Sequence, residues 1–275
     1  MTVSLDSSCT LRLGTQGWSY ADWVGNFYPA DSKASDYLRR YSSVFDTVEI
    51  DSTFYGSPRP SVVRGWAEST PPHFQFAAKL PQRITHELGL RDADAELAQF
   101  LVAMDGLQEK LGPLLIQMPP QFHRDAETWT ALRAFVAGLP RGYQWAIEFR
   151  HRSWLAPDVV DLLRQAEVAW TCIDLVYMPR QIECTAGFAY VRWLGDRREI
   201  ERYDRLQIDR EQETNEWADA LVGISRQVAR IYGYYNNHYA GHSPASVNWL
   251  RARLGLPPIP APEAPPGTLI QKPLL

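Results

Sequence analysis

The chain has 275 residues, 45% hydrophobic and 22% charged, a length and balance that suit one large α/β domain or two small ones. A formal net charge of -4 argues against a general polyanion binder and leaves room for a local basic patch. Residues 1–13 lack the basic-then-apolar pattern of a signal peptide and no apolar run reaches membrane-spanning length; Cys9, Cys172 and Cys184 have no CxxC spacing, so the expectation is a soluble cytoplasmic protein with no membrane partner, disulfide framework or zinc site.

Taken in order, Leu11–Gly17 predicts a first strand that breaks at glycine, with Trp18, Tyr20 and Trp23 in the loop after it. Ser35–Phe45 carries Leu38, Tyr41 and Phe45 at helical spacing, and Thr47–Tyr55 predicts a second strand on which Glu49, Asp51 and Thr53 share a face. A short helix over 62–69 leads to a third strand, Phe74–Lys79. Asp94–Leu111 predicts an amphipathic helix stopped by Gly112-Pro113, and Leu114–Pro120 a fourth strand ended by two prolines. A helix over 126–137 precedes Trp145–Arg150. Pro157–Ala166 is the next helix, Ala169–Asp174 the sixth strand and Phe188–Gly195 the seventh, with little regular structure between those two. Asp196–Arg205, where Arg197, Arg198, Arg202 and Arg205 alternate with acids, predicts a solvated loop. Glu211–Arg230 predicts a long helix and Ile231–Asn237 the eighth strand. Ser243-Pro244 reads as an N-cap with proline at the first helical position.

Eight apolar strands alternating with helices, without a glycine-rich nucleotide fingerprint, predict a single-domain α/β fold, a (β/α)8 TIM-like barrel over 11–256. An N-terminal extension, 1–10, precedes it. A Pro-rich tail, 257–275, follows, with apolar Leu269-Ile270 able to dock on the barrel or a neighbour.

In such barrels chemistry stands at the carboxyl ends of strands. Reading those ends in order gives Trp18 and Tyr20, Glu49 and Asp51, Lys79, Gln117, Glu148 and Arg150, Asp174, Arg192, then Asn236 and Asn237. Glu148 and Arg150 are two residues apart, so on an extended chain they share one face, and buried charges so placed require partners. Glu148, with Glu49 or Asp174 as partner, suits general acid–base work, while Lys79, Arg150 and Arg192 suit anion clamping. The bland alternative is that these acids and cations balance one another as structural ion pairs. Trp18 and Tyr20 either stack on a ligand or plug the barrel top. Arg192 with the two asparagines either holds phosphate or the asparagines only turn the chain. His86, in the loop after the third strand, is a candidate ligand-binding side chain and the one imidazole that a divalent-metal alternative would need. No cofactor is otherwise expected.

The blocks Gly14-Thr15-x-Gly17-Trp18-Ser19-Tyr20-x-x-Trp23, Phe27-Tyr28-Pro29, Val48-Glu49-Ile50-x-x-Thr53-Phe54-Tyr55, Lys79, Thr85-His86, Gln117-x-Pro119-Pro120, Glu148-Phe149-Arg150-His151-x-x-Trp154, Asp174, Tyr190-x-Arg192 and Asn236-Asn237 carry a specific likeness. In these it resembles the YecE-like family, also known as domain of unknown function 72, over nearly all of Gly14–Leu254. The resemblance implies a TIM-like barrel related in shape to sugar-isomerase and apurinic-endonuclease barrels, and no established activity. One departure is Leu194-Gly195, where the family usually carries His-Gly.

The reading that follows is an enzyme, of hydrolase or isomerase class, with a small phosphorylated or polyhydroxylated metabolite as its partner. The alternatives are a nucleic-acid-binding or repair-type hydrolase, a glycosidase using Glu49 and Glu148, and a non-catalytic ligand sensor.

Overall fold

The computed structural model describes residues 2–196 and 200–260. Arg197, Arg198 and the tail from 261, including Leu269-Ile270, lie outside the described residues. Eight parallel strands make one sheet: β1 (Thr10–Thr15), β2 (Thr47–Ile50), β3 (Gln75–Lys79), β4 (Leu111–Gln117), β5 (Trp145–Glu148), β6 (Ala169–Leu175), β7 (Phe188–Gly195) and β8 (Arg230–Tyr235). Their order, β1-β8-β7-β6-β5-β4-β3-β2, is that of a barrel opened at one seam. The helices outside it are α1 (Tyr37–Ser42), α2 (Pro60–Glu68), α3 (Asp94–Met104), α4 (Ala126–Gly138), α5 (Pro157–Gln165), α6 (Glu211–Ser225) and α7 (Ser243–Arg253). The TIM-like barrel expected from the strand–helix alternation is the fold observed.

The β1–β2 seam is nearly closed. Gln16 bridges Glu49, and the Gly17 N–H donates to the Glu49 carbonyl at 2.8 Å. One step earlier the Tyr41 phenol stands in for a ladder bond: it accepts from the Thr15 N–H at 2.9 Å and donates to the Thr47 carbonyl at 3.0 Å. Gly14 makes room for this, since a Cβ there would lie 2.2 Å from the Thr47 oxygen.

Inside the barrel, small residues on one wall face large ones on the other. Ala77, Ala146 and Ala169 pack in one buried cluster with Phe188, Tyr190, Tyr232 and Tyr234. Outside, Trp193 of β7 stacks on Tyr235 of β8 with centroids 4.2 Å apart and meets Trp217 of α6 edge-on. The residues flanking the barrel are tied to it: Val3 N–H donates to the Arg253 carbonyl and Ile259 N–H to Asn248 Oδ1.

Several boundaries differ from expectation for local reasons. β2 ends at Ile50, and Ser52–Tyr55 is a 3-10 turn, because the Thr53 hydroxyl donates to the Ile50 and Lys79 carbonyls and folds the chain back over β3. α3 stops at Met104. A 3-10 turn over Asp105–Lys110 follows, with Gln108 at φ 53°, and Lys110 reaches the Ala67 and Thr70 carbonyls. Gly112-Pro113, read as a helix stop, lies inside β4, where a Gly112 Cβ would crowd the Phe76 carbonyl. α6 ends at Ser225 because β8 begins at Arg230, paired with both Thr10 and Phe188. His242, not Ser243, occupies the N-cap of α7.

Candidate functional site

The carboxyl ends of the strands enclose a cavity of about 530 Å³, a volume suited to a small metabolite. Its lining comes from Gln16, Asp51, Lys79, Arg150, Arg192 and Asn236, from Leu175, Val176 and Tyr177 after β6, and from Leu194, Gly195 and Asp196 at the end of β7. Gly195 is required there: it sits at φ +67°, and a Cβ would fall 2.1 Å from the His238 carbonyl oxygen.

Beneath the cavity lies a closed ionic chain. Tyr190, Arg192 and Leu194 alternate with outward-facing residues of β7, so all three side chains enter the barrel. Arg192 donates one terminal nitrogen to Glu148 Oε2 and the other to Glu49 Oε1 at 2.7 Å. Arg150 Nε donates to Glu148 Oε1 at 2.5 Å, and the Tyr190 hydroxyl to Glu49 Oε2 at 2.7 Å. Both carboxylates are fully buried, and all four of their oxygens are occupied. Burial opposes ionisation of Glu148, but the charges of Arg150 and Arg192 and the bonds they donate outweigh it and hold the carboxyl at about 2. The Arg192 guanidinium loses hydration by burial, yet the two glutamates drive its pKa above the ordinary value. Tyr190 is pushed well above its ordinary value, first by burial and then by the Glu49 charge, so it remains a donor.

Lys79 ends β3 beside this chain, 8% exposed. Its ammonium rests 3.6 Å over the Phe54 ring, and among the described residues no carboxylate stands within ion-pair distance of it. Burial lowers its pKa to about 7, helped by the charges of Arg192 and Arg150. The terminal nitrogens of Arg150 also have no protein acceptor among the described residues. Gln16 accepts from Asn236 at 2.8 Å through Oε1, while its buried Nε2 has no partner. Nearer solvent, Asp51 is exposed and Asp196 half-buried, each with partners of its own.

The structure thus brings Glu49, Glu148, Asp51, Lys79, Arg150, Arg192 and Asn236 to one centre. It places the other candidates elsewhere. Asp174 points out of the barrel, where its Oδ2 accepts from Trp217 Nε1 at 2.6 Å and Arg180 at 3.0 Å. Asn237 is buried, with its Oδ1 accepting from Trp23 and from the backbone and hydroxyl of Ser243, which makes it a chain-turning residue. Trp18 packs on Trp66 and Phe76, and Tyr20 lies against Trp23 with its hydroxyl on the Gln16 carbonyl. Gln117 donates to the Met118 carbonyl and does not line the cavity. His86 sits in a π turn behind Phe54; burial, then the charges of Lys79 and Arg150, lower its pKa to about 4. Among the described residues no group of three or more His, Cys, Asp or Glu side chains is arranged to hold a metal ion.

Sequence reasoning missed Gln16, although it directly follows β1 at the same end of the barrel as the other candidates. It named Tyr190 only within the Tyr190-x-Arg192 block and gave it no site role, which period-two alternation from Arg192 would have suggested. The apolar wall of Leu175, Val176, Tyr177 and Leu194 carries no chemical signature to read.

Fold and cavity together define a (β/α)8 barrel with a charged ligand-sized pocket at the carboxyl end of its strands. The chain belongs to the family described as "Protein of unknown function DUF72", whose pattern matches residues 12–268. The UPF0759 protein YecE of Escherichia coli is 31% identical over 146 residues, 53% of this chain and 50% of that protein, so the chain spans about half the length of the curated relatives it matches. A DUF72 family protein from Thermotoga maritima superimposes with a TM-score of 0.76 at 29% identity, over 88% of this chain and 97% of its own. The D-psicose 3-epimerase barrel shares the fold at a TM-score of 0.51 and 12% identity, over 88% and 95% of the two chains. Among the described residues no helix is long and apolar enough to cross a membrane.

Proposed function

We propose that the cavity binds a small anionic, hydroxylated metabolite, and that the protein acts on it as an enzyme. The observation that carries this reading is the charge left over beneath the cavity. Glu49 and Glu148 are spent on Arg192, Arg150 and Tyr190, which leaves the buried Lys79 ammonium and the outer nitrogens of Arg150 without an anion among the described residues. Two such cations on a cavity wall suit a phosphate or carboxylate. The lining also carries uncharged polar groups: Gln16 Nε2 is an idle donor, with Asn236 bonded beside it to Gln16 Oε1. A ligand anionic at one end and hydroxyl-bearing at the other matches that polarity.

In this reading Glu148 is an electrostatic support and not a general acid: held at about 2 with both oxygens bonded, it has no proton to give at neutral pH. The same saturation disfavours Glu49 and Glu148 as a glycosidase pair. The packing of Trp18 and Tyr20 against other aromatic rings favours a metabolite over a displaced base.

Calorimetric titration with inorganic phosphate and glycerol 3-phosphate below pH 7 tests the reading. The expected result is saturable one-site binding that weakens at least tenfold, about 1.4 kcal/mol, in Lys79→Met. Absence of binding, or equal binding by the variant, overturns it.

A further inference from the structure

We propose that Lys79 is an amine nucleophile that condenses with the carbonyl group of an anionic aldehyde or ketone bound in this cavity, forming an imine. This deepens the anion-binding reading and rests on it for the ligand's charge.

The first ground is the choice of residue. The chain has four lysines, Lys33, Lys79, Lys110 and Lys272, among 28 basic residues, and uses arginine for nearly every other charge. Arginine is the better anion clamp because its fork bonds an oxyanion twice and never loses its charge. A lysine beside Arg150 and Arg192 is the inferior choice for that task alone. What it offers instead is a nitrogen able to give up its proton and attack carbon.

Geometry supplies the second ground. Lys110 is tied to the Ala67 and Thr70 carbonyls, and Lys33 is exposed. Lys79 alone of the described three ends a barrel strand on a ligand-sized cavity with its nitrogen bonded to no protein acceptor. Its stem is fixed at both ends: the Thr53 hydroxyl donates to its carbonyl at 2.7 Å, and Phe54 supports its head. Two guanidiniums and a desolvated wall keep much of the amine neutral near pH 7, as a nucleophile requires.

The step balances without a redox partner. The amine lone pair forms the C–N bond as the carbonyl π pair moves onto oxygen; both N–H protons end on that oxygen, which leaves as water while the C=N bond forms. Arg150 is placed to hold the ligand's anionic group, and Gln16 Nε2 to donate to the departing oxygen or a neighbouring hydroxyl.

The test is reductive trapping. The whole protein is incubated with cyanoborohydride and either glyceraldehyde 3-phosphate or uncharged glyceraldehyde, then mapped by peptide mass spectrometry. The expected result is one adduct per chain, on Lys79, with the phosphorylated aldehyde reacting at least tenfold faster. Its rate should level off about one unit above pH 7, where an ordinary lysine keeps climbing to about pH 10.4. Lys79→Arg should lose the adduct yet still bind inorganic phosphate, and Lys79→Met serves as a second adduct-free variant should arginine not be accommodated. Labelling spread over Lys33, Lys110, Lys272 and the α-amine, or unchanged in Lys79→Arg, overturns the inference. Phosphate binding without Lys79 labelling sinks the imine and leaves the anion site standing. Equal labelling by both aldehydes does the reverse.

Discussion

At the scale of single residues, Glu148 decides whether the buried charges hold together or come apart. Among the described residues it is the only carboxylate that touches both Arg150 and Arg192, so replacing it strips Arg150 of its partner and leaves Arg192 with Glu49. Breaking a buried pair from one side costs roughly 3–5 kcal/mol, and Glu148→Gln should lower the unfolding free energy by that much in urea titration. The pH dependence follows with its sign. The folded carboxyl is held at about 2 and the unfolded one near 4.5, so the ionic contribution is complete above about 4.5 and fades as pH falls toward 2. Its size is about 3 kcal/mol. The stability gap between the parent chain and Glu148→Gln should therefore close on acidification across that window; a gap constant from pH 5 to pH 2 would show that charge is not what Glu148 contributes. The pairing of Glu148 with Arg150 was legible because i and i+2 on a strand share a face. Asp174 was not, since which face of β6 turns inward is set by packing: Cys172 and Asp174 look out toward α5 and α6, while Ile173 and Leu175 look in.

Among the elements, the weakest joint is between β1 and β2, where the ladder is carried by the Gln16–Glu49 bridge, the Gly17 bond and a side chain. Tyr41 comes from α1, so the helix closes the barrel as well as covering it. Tyr41→Phe removes one hydroxyl and no volume, leaving the Thr15 N–H and the Thr47 carbonyl to find other partners in a buried seam. The expected loss is about 1–3 kcal/mol, with hydrogen exchange at the Thr15 amide accelerating while amides of the β7–β8 ladder keep their relative protection. If Thr15 exchanges no faster, the phenol is not closing the seam. Strand and helix order was readable throughout, because period-two and period-3.6 hydrophobicity alternate cleanly along this chain. The element ends were not. The Thr53 hydroxyl that turns β2 back, and the Lys110 ammonium that pins the turn after α3, depend on carbonyls from other elements that spacing does not reveal.

For the molecule as a whole, binding and stability make opposite demands on Lys79. The barrel buries two glutamates and two arginines in mutual compensation and then adds a fifth charge that no group among the described residues pairs with. An unfolded lysine keeps its proton to about pH 10.5, whereas this one releases it at about 7. Between those values the unfolded chain binds more protons, so the penalty is full below pH 7, shrinks as pH rises and is gone above about 10.5. Lys79→Met keeps most of the unbranched side chain beside Phe54 and removes the charge. It should therefore raise stability by on the order of 1–3 kcal/mol at pH 6, and by nearly nothing at pH 10, as it weakens anion binding. The comparison between parent and variant cancels the other groups that titrate in that range, including the buried tyrosines. Equal stabilisation at both pH values would assign the gain to packing. Destabilisation at pH 6 would mean that the ammonium is held by contacts with the barrel and that no charge is kept in reserve for a ligand.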